Sequence, residues 1–411
     1  MGLGDAWEPL AERRFRLLWL GRVSSQVGDA IVPLALTFAV LSINRSGAAL
    51  GAVLASLMIT RVVFTLAGGV LADRLSRRTV MLGCDIVRCA VHAFTATMLL
   101  THHMTLPLFI VTEAVFGTAS AFFNPAADGL LPQTISTEKL QSANALLGLS
   151  RNTMNVFGPM ISAVVLAFSS PGYIFAIDAA SFAASAFFLA QLDVDAPLRA
   201  AGTRFATELK QGFHEVASRD WVRAPLIGFA ITNAAFASFL VLGPLTFLAH
   251  FHHAKLDWGV TSACGSVCAI LGALASMRFR PRHPLSTGFV VSTLIAVPIA
   301  ALAGPLPVPV IAIGWGLGMG SVAVMNIWWE TALQQRIPEH VLSRVRSYDI
   351  LVSYVFMPVG MLAFGPIGDH FGYEWTLLVA AGAVVVTNFA VAFAPGVRAL
   401  EAPVATAAAA T

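Results

Sequence analysis

Long apolar runs, separated by short clusters of glycine, proline, asparagine and charge, dominate the chain. A bilayer core of about 30 Å takes roughly 20 helical residues. Twelve runs are close to that length or longer: 17–41, 49–72, 79–100, 106–124, 143–168, 173–192, 224–249, 257–278, 286–303, 308–329, 347–367 and 373–394. Backbone groups find no partners in hydrocarbon, so each run must satisfy its own as a helix. The breaks carry turn chemistry, at Asn44 to Gly47, Ser169 to Gly172 and Gly304 to Pro307. The expected fold is an all-α integral membrane protein of twelve transmembrane helices.

One long polar stretch interrupts this pattern, residues 193–223. Within it Phe205, Leu209, Phe213 and Val216 recur at helical spacing among Arg204, Glu208, Lys210 and Glu215, the pattern of an amphipathic helix lying at the interface. It divides the chain into a terminus (1–16), a six-helix bundle (17–192), the linker (193–223), a second six-helix bundle (224–394) and a tail (395–411). The two bundles are related. Leu131, Gln133, Ile135 and Leu140 recur 202 residues later as Leu333, Gln335, Ile337 and Leu342. At the same offset Asn124 meets Asn326 and Asp128 meets Glu330; Gly172 and Tyr173 recur as Gly372 and Tyr373 at offset 200. Parallel repeats of this kind are a transporter architecture with the substrate site near the repeat interface.

Composition agrees. The chain is 57% apolar and 11% charged, too poor in charge to wet the surface of a soluble domain. A net charge of +3 gives no reason to expect nucleic acid as a partner. The cysteines form two pairs, Cys84 with Cys89 and Cys264 with Cys268. Without further ligands nearby they read as small packing residues, and neither a metal nor a cofactor is expected. The first apolar run is longer than a signal-peptide core. No nucleophile with a paired base suggests an enzyme.

Basic residues give orientation. With the N-terminus taken as cytoplasmic, nineteen of the 25 lie in cytoplasmic segments, two (Arg45 and Lys255) in outer loops and four (Arg22, Arg61, Arg88, Arg151) inside spans. This asymmetry places both termini in the cytoplasm.

The end of the second span and the loop after it read Gly69, Leu71, Asp73, Arg74, Arg77 and Arg78, with Ser76 where a second glycine is usual. This resembles the loop signature of the major facilitator superfamily. Phe15 to Gly21, Gln26 to Asp29, Asp85 to Arg88, Asn124 to Ala126 and Gln335 to Pro338 are similar to the bacterial branch that includes macrolide-efflux and enterobactin-export proteins. The resemblance implies alternating access between two six-helix halves of a bacterial inner-membrane protein. It also implies that Asp73 latches the N-terminus of the eleventh helix on the cytoplasmic side. A carboxylate at a helix N-terminus gains about 0.3–1 kcal/mol, weak enough to break in each cycle. Arg74, Arg77 and Arg78 either pair with acids such as Asp349 and Glu330 or serve topology alone. In the fifth span Gly158 and Pro159 match part of a glycine-rich exporter motif and imply close helix packing.

Charges within the spans are the sharper chemical signal, because each costs roughly 2.5–3.5 kcal/mol or more at the bilayer centre. Asp29, Arg61 and Arg88 fall at similar depth in the first three spans. Asp29 reads equally as part of a structural ion network and as a coupling group. Glu113 stands four residues before Gly117, where drug exporters of the superfamily carry an arginine. It offers a protonatable carboxyl in its place, and Arg151 is its expected partner, in a static pair or a proton-carrying one. Deep in its spans the second half holds almost no charge and reads as apolar wall. Of the aromatic residues Phe122, Phe123, Trp328 and Trp329, either a cleft-facing or an interfacial role fits.

The expected function is proton-driven export of an amphipathic small molecule, such as a drug, siderophore or secondary metabolite, by a monomer in the lipid bilayer. Proton-coupled uptake of a metabolite by the same fold is the alternative, and a non-transporting membrane sensor fits less well.

Overall fold

The computed structural model describes residues 7–72, 76–194, 216–279 and 281–401. Among them all regular structure is helical. The helices are α1 (Arg13–Ile43), α2 (Gly47–Ala72), α3 (Arg77–Leu100), α4 (Leu106–Leu130), α5 (Leu140–Phe168) and α6 (Pro171–Ala190). They continue as α7 (Asp220–His250), α8 (Ala254–Arg278), α9 (Pro284–Ser292), α10 (Ala296–Ala303), α11 (Val308–Arg336), α12 (Glu339–Phe371), α13 (Tyr373–Ala392) and the short α14 (Pro395–Arg398). Among the described residues, eleven helical segments are long and apolar enough to cross a membrane. The twelfth is α5, equally long but carrying Arg151, Asn152 and Asn155 in its interior. The expected turns separate α1 from α2, α5 from α6 and α10 from α11.

The ninth span is broken. A 3₁₀ turn at Thr293–Ile295 joins α9 to α10. Pro298 lies four residues after Leu294; its ring crowds that carbonyl and it donates no N–H, which disrupts the regular ladder at this point.

Two compact units make up the chain. The first comprises Met1–Gly202, Leu240–Ala263 and Met361–His370. In it α1 packs on α5 and α6, α2 on α4, and α3 on α4 and α6. Missing side chains set the spacing. A Cβ on Gly117 would lie 2.5 Å from the Leu57 carbonyl oxygen, and one on Gly158 2.7 Å from that of Ala30. Segments from α7, α8 and α12 join this unit beyond the expected 17–192 bundle. Glycines again allow the close approach: a Cβ on Gly51 would sit 2.1 Å from the Met361 carbonyl oxygen, and one on Gly259 2.3 Å from the Ala163 side chain.

The second unit comprises Thr203–Phe239, Cys264–Gly360 and Phe371–Thr411. Its α9 packs on α11 and α13, and α10 on α11 and α13. Cys264 and Cys268 lie against Gly316, the packing role expected of them. The amphipathic linker helix falls outside the described residues except at Val216, which is buried with Val222 and Leu226.

Candidate functional site

The first unit encloses a cavity of about 560 Å³. Asp29, Arg61, Arg88, Glu113 and Arg151, the five ionisable residues singled out from the sequence, all line it. They reach it from α1, α2, α3, α4 and α5 respectively. Arg22 and Asp128 lie on the same wall, 3.4 Å apart.

Arg88 is the hub of one network. It is 2% exposed and bonded to Asp85 one turn earlier, while its other terminal nitrogen is 3.9 Å from Asp29. Its guanidinium stacks on Phe123 at 4.1 Å and Phe182 at 4.3 Å. Aromatic faces and two acids together offset its desolvation. Ser185 donates to the second oxygen of Asp85 at 2.6 Å. Asp85 was legible only as part of a family-like stretch; its place is set by the helical spacing to Arg88.

A second network contains a residue the sequence reading missed. His92, on α3, is fully buried. Its Nδ1 bonds Asp178 on α6, and its Nε2 faces Glu113 at 3.9 Å. The ring stacks on Phe116 at 4.0 Å and meets Phe175 edge-on. Both Glu113 carboxyl oxygens and His92 Nε2 are buried without hydrogen-bond partners. Glu113 therefore does not form the expected pair with Arg151: the two share the cavity wall, while the nearest ionisable group to Glu113 is His92. The signal that could have found it is spacing. His92 follows Arg88 by four residues and Asp85 by seven, on one face of α3.

The loop signature resolves in part. Asp73 and Arg74 lie outside the described residues, and with them the expected latch; Gly69 belongs to the last turns of α2. Arg77 donates to the Gly129 carbonyl at the end of α4, and Arg78 to those of Leu189 and Ala190 at the end of α6. Carbonyls at a helix C-terminus lack intrahelical donors and carry the negative end of the dipole, so two arginines there are held by local geometry. Glu330 pairs instead with Arg346, and Asp349 accepts from Trp329 at 3.0 Å and Ser353 at 3.2 Å.

Gly158 and Pro159 serve contacts on two sides of α5. Gly158 abuts Ala30 on α1, and a Cβ on Gly259 of α8 would lie 3.1 Å from the Pro159 carbonyl oxygen.

The second unit is less apolar than expected. It holds a pocket of about 380 Å³ lined by Phe229, Thr232, Ser292, Trp329, Asp349 and Asn388 among others. Thr232 donates to Asn388 at 3.1 Å, while Asn388 Nδ2 and Ser292 Oγ are buried without partners. Phe123 and Trp329 line the two cavities; Phe122 and Trp328 do not. The internal repeat reappears in space, since Asn124 and Asp128 line the first cavity and their counterparts Asn326 and Glu330 the second.

A carboxylate does cap a helix N-terminus, in a place not foreseen. Asp369, near the end of α12, accepts from the Gly47 and Ala48 N–H groups that open α2, both at 2.9 Å. Ser46 accepts from Ala49 at 3.0 Å.

Comparison with known proteins agrees with this architecture. A family model described as transmembrane secretion effector matches residues 4–408. The chain is 22% identical to macrolide efflux protein A of Streptococcus pyogenes, over 89% of this chain and 92% of that protein. It is 25% identical to the multidrug efflux pump Tap of Mycobacterium tuberculosis, over 94% of each. Among solved structures, the nucleoside transporter NupG matches with a TM-score of 0.72 at 14% identity, covering 92% of this chain and 98% of that one. A bacterial homologue of the iron transporter ferroportin matches with a TM-score of 0.73 at 16% identity, with the same coverage.

Proposed function

The chain belongs to the transmembrane secretion effector family of the major facilitator superfamily, and from that premise we propose that it exports an amphipathic small molecule in exchange for protons. A multi-pass membrane transporter, not an enzyme, is what the family and the efflux-pump relatives establish. Export, proton exchange and the substrate class are our reading. In it the protein is a monomer of the bacterial inner membrane with both termini in the cytoplasm.

One observation carries the proton half. Glu113 lines the first cavity with both carboxyl oxygens buried and unpartnered. A structural carboxylate in a bilayer-spanning helix would be paired; one that is left free is suited to take up and release a proton as the cavity changes its access. Asp29 is 45% exposed at its side chain and stands on the same wall as a second candidate. Arg61 and Arg151, without acidic partners among the described ion pairs, stand on the same wall. The second unit's pocket supplies Phe229 and Trp329 as apolar surface beside Asn388 and Asp349, a lining that suits an amphipathic molecule.

The test is accumulation in cells lacking their own exporters, with and without a protonophore. Expression should lower accumulation of at least one amphipathic compound, and the protonophore should abolish the difference. Raised accumulation of a metabolite, with no compound excluded, would replace export by uptake. That alternative is favoured by the polar groups of the second pocket, Thr232, Asn233 and Asn388, which the sequence reading did not anticipate.

A further inference from the structure

Three ionisable side chains on three helices meet in the interior of the first unit. Glu113 is 1% exposed, His92 and Asp178 are not exposed at all. Only Glu113 lines the cavity. Behind it, His92 separates Glu113 from Asp178, with one ring nitrogen toward each carboxyl. Three isolated charges at this depth would cost on the order of 8–10 kcal/mol at the usual price per group, so the cluster must share its protons.

We infer that Glu113, His92 and Asp178 form one proton-carrying relay, in which Glu113 is the port to the cavity and His92 passes the proton to Asp178. This rests on the proton-coupled reading above and adds to it the group that stores the proton.

The step balances without a change of net charge. In the loaded state Glu113 is a neutral acid, His92 carries its proton on Nδ1 and donates to ionised Asp178. The Glu113 proton moves to Nε2 while the Nδ1 proton moves to Asp178. Glu113 is then ionised, Asp178 is neutral, and His92 is the opposite neutral tautomer. An imidazole suits this because its two nitrogens are a donor and an acceptor that can exchange roles. The stacked Phe116 and the edge-on Phe175 hold the ring in the plane that serves both carboxyls. At 3.9 Å the contact from Nε2 to Glu113 is open, and about 1 Å of movement by the unpartnered carboxyl closes it to hydrogen-bond length.

Neighbouring charge frames the relay from every side. Asp29 faces it from α1, and Asp85 and Arg88 from the preceding turns of α3, while Arg61 on α2 lines the same cavity as Glu113. On α6, Ser181 donates to Oδ1 of Asp178 at 3.1 Å. From α1, Gly28 leaves the space that Asp178 occupies: a Cβ there would fall 1.6 Å from Asp178 Oδ1. A side chain at Gly28 must therefore displace the carboxylate that bonds His92.

The test is pH-difference infrared spectroscopy of the purified protein in lipid nanodiscs, joined to nitrogen-15 NMR of labelled histidine. No transported compound is needed. His92, assigned by its loss in His92→Asn, should be neutral and populate both its Nδ1–H and its Nε2–H form while the cluster holds the shared proton. Glu113→Gln should remove a protonated-carboxyl band. Asp178→Asn should move the Glu113 titration by about one pH unit or more, as expected of coupled sites. Gly28→Ala should reproduce that displacement with all three relay residues intact, which covers the case in which a relay variant does not fold. A His92 imidazolium throughout, or a Glu113 titration indifferent to both Asp178→Asn and Gly28→Ala, would overturn the relay. Relay spectra as expected in a protein that exports nothing would overturn the export reading alone.

Discussion

Nε2 of His92 lies 3.9 Å from Oε1 of Glu113, and neither atom has another partner. That gap makes Glu113 the first residue to change. Glu113→Gln keeps the shape and removes the proton. Uphill, protonophore-sensitive transport should fall about 10²-fold, while exchange between equal substrate pools, which needs no net proton movement, should continue. Transport at the wild-type rate would return Glu113 to a purely structural role.

Arg88 should behave in the opposite manner, as a residue the fold cannot lose. Arg88→Met leaves Asp85, which is fully buried, without its counter-charge. Breaking such a pair from one side costs about 3–5 kcal/mol, and the variant should melt well below the parent in detergent or fail to accumulate. Removing both charges in Asp85→Leu with Arg88→Met should recover much of the loss. Equal damage from the single and double variants would show that the pair is not the reason Arg88 is needed.

How much of this was legible depended on the range of the interaction. Span positions, the paired repeats and the five cavity-lining residues follow from hydropathy and intramembrane charge, which act residue by residue. Partners did not follow. Arg151 was expected for Glu113 because an acid in lipid calls for a base, yet the base that helix packing supplies is His92, a residue whose charge is optional and whose cost is therefore easy to overlook. Arg77 and Arg78 could equally pair with acids or serve topology alone; the bonds they make to carbonyls at the ends of α4 and α6 were in neither reading, because backbone acceptors are invisible in a list of side chains. The second half looked apolar because its polar groups are mostly neutral: Thr232, Asn233, Ser292 and Asn388 carry no charge to notice.

Close packing gives a third prediction. Gly158→Val brings a side chain into the Ala30 backbone, where a Cβ already lies 2.7 Å from the carbonyl oxygen. Because the obstacle is backbone, α1 and α5 must separate, at about 1–3 kcal/mol. Gly148→Ala, one helix position with nothing within 4 Å of an added Cβ, is the control and should be neutral or gain up to about 1 kcal/mol of helix propensity. Melting temperatures of the two variants in the same detergent decide it; equal shifts would deny the contact its importance.

Asn388 tests the second pocket. Its Nδ2 is buried without a partner, while Thr232 donates to its oxygen. For a compound the protein is found to export, Asn388→Leu should weaken binding by up to about tenfold, the worth of one neutral hydrogen bond. The infrared titration of the first unit should be unchanged. A shifted titration with unaltered binding would place Asn388 with the proton chemistry instead.

Asp369 gives the last prediction, on the transport cycle itself. Its two oxygens satisfy the Gly47 and Ala48 N–H groups, donors that the first turn of α2 cannot pair within the helix. Asp369→Ala should cost about 0.5–2 kcal/mol, equivalent to about a 2- to 30-fold shift in the balance between conformers if the cap exists in only one of them. Asp369→Asn keeps one acceptor oxygen but loses the charge that favours the dipole, so it should fall between alanine and the parent. Distances between spin labels at residues 45 and 370 report the shift directly, as a new population whose weight rises from parent to Asn to Ala. Identical distributions in all three would mean that Asp369 holds the same contact throughout the cycle, or that Ser46, which accepts from Ala49, suffices to keep the end of α2 in place. The ordered series is the result expected of a cap that breaks and re-forms.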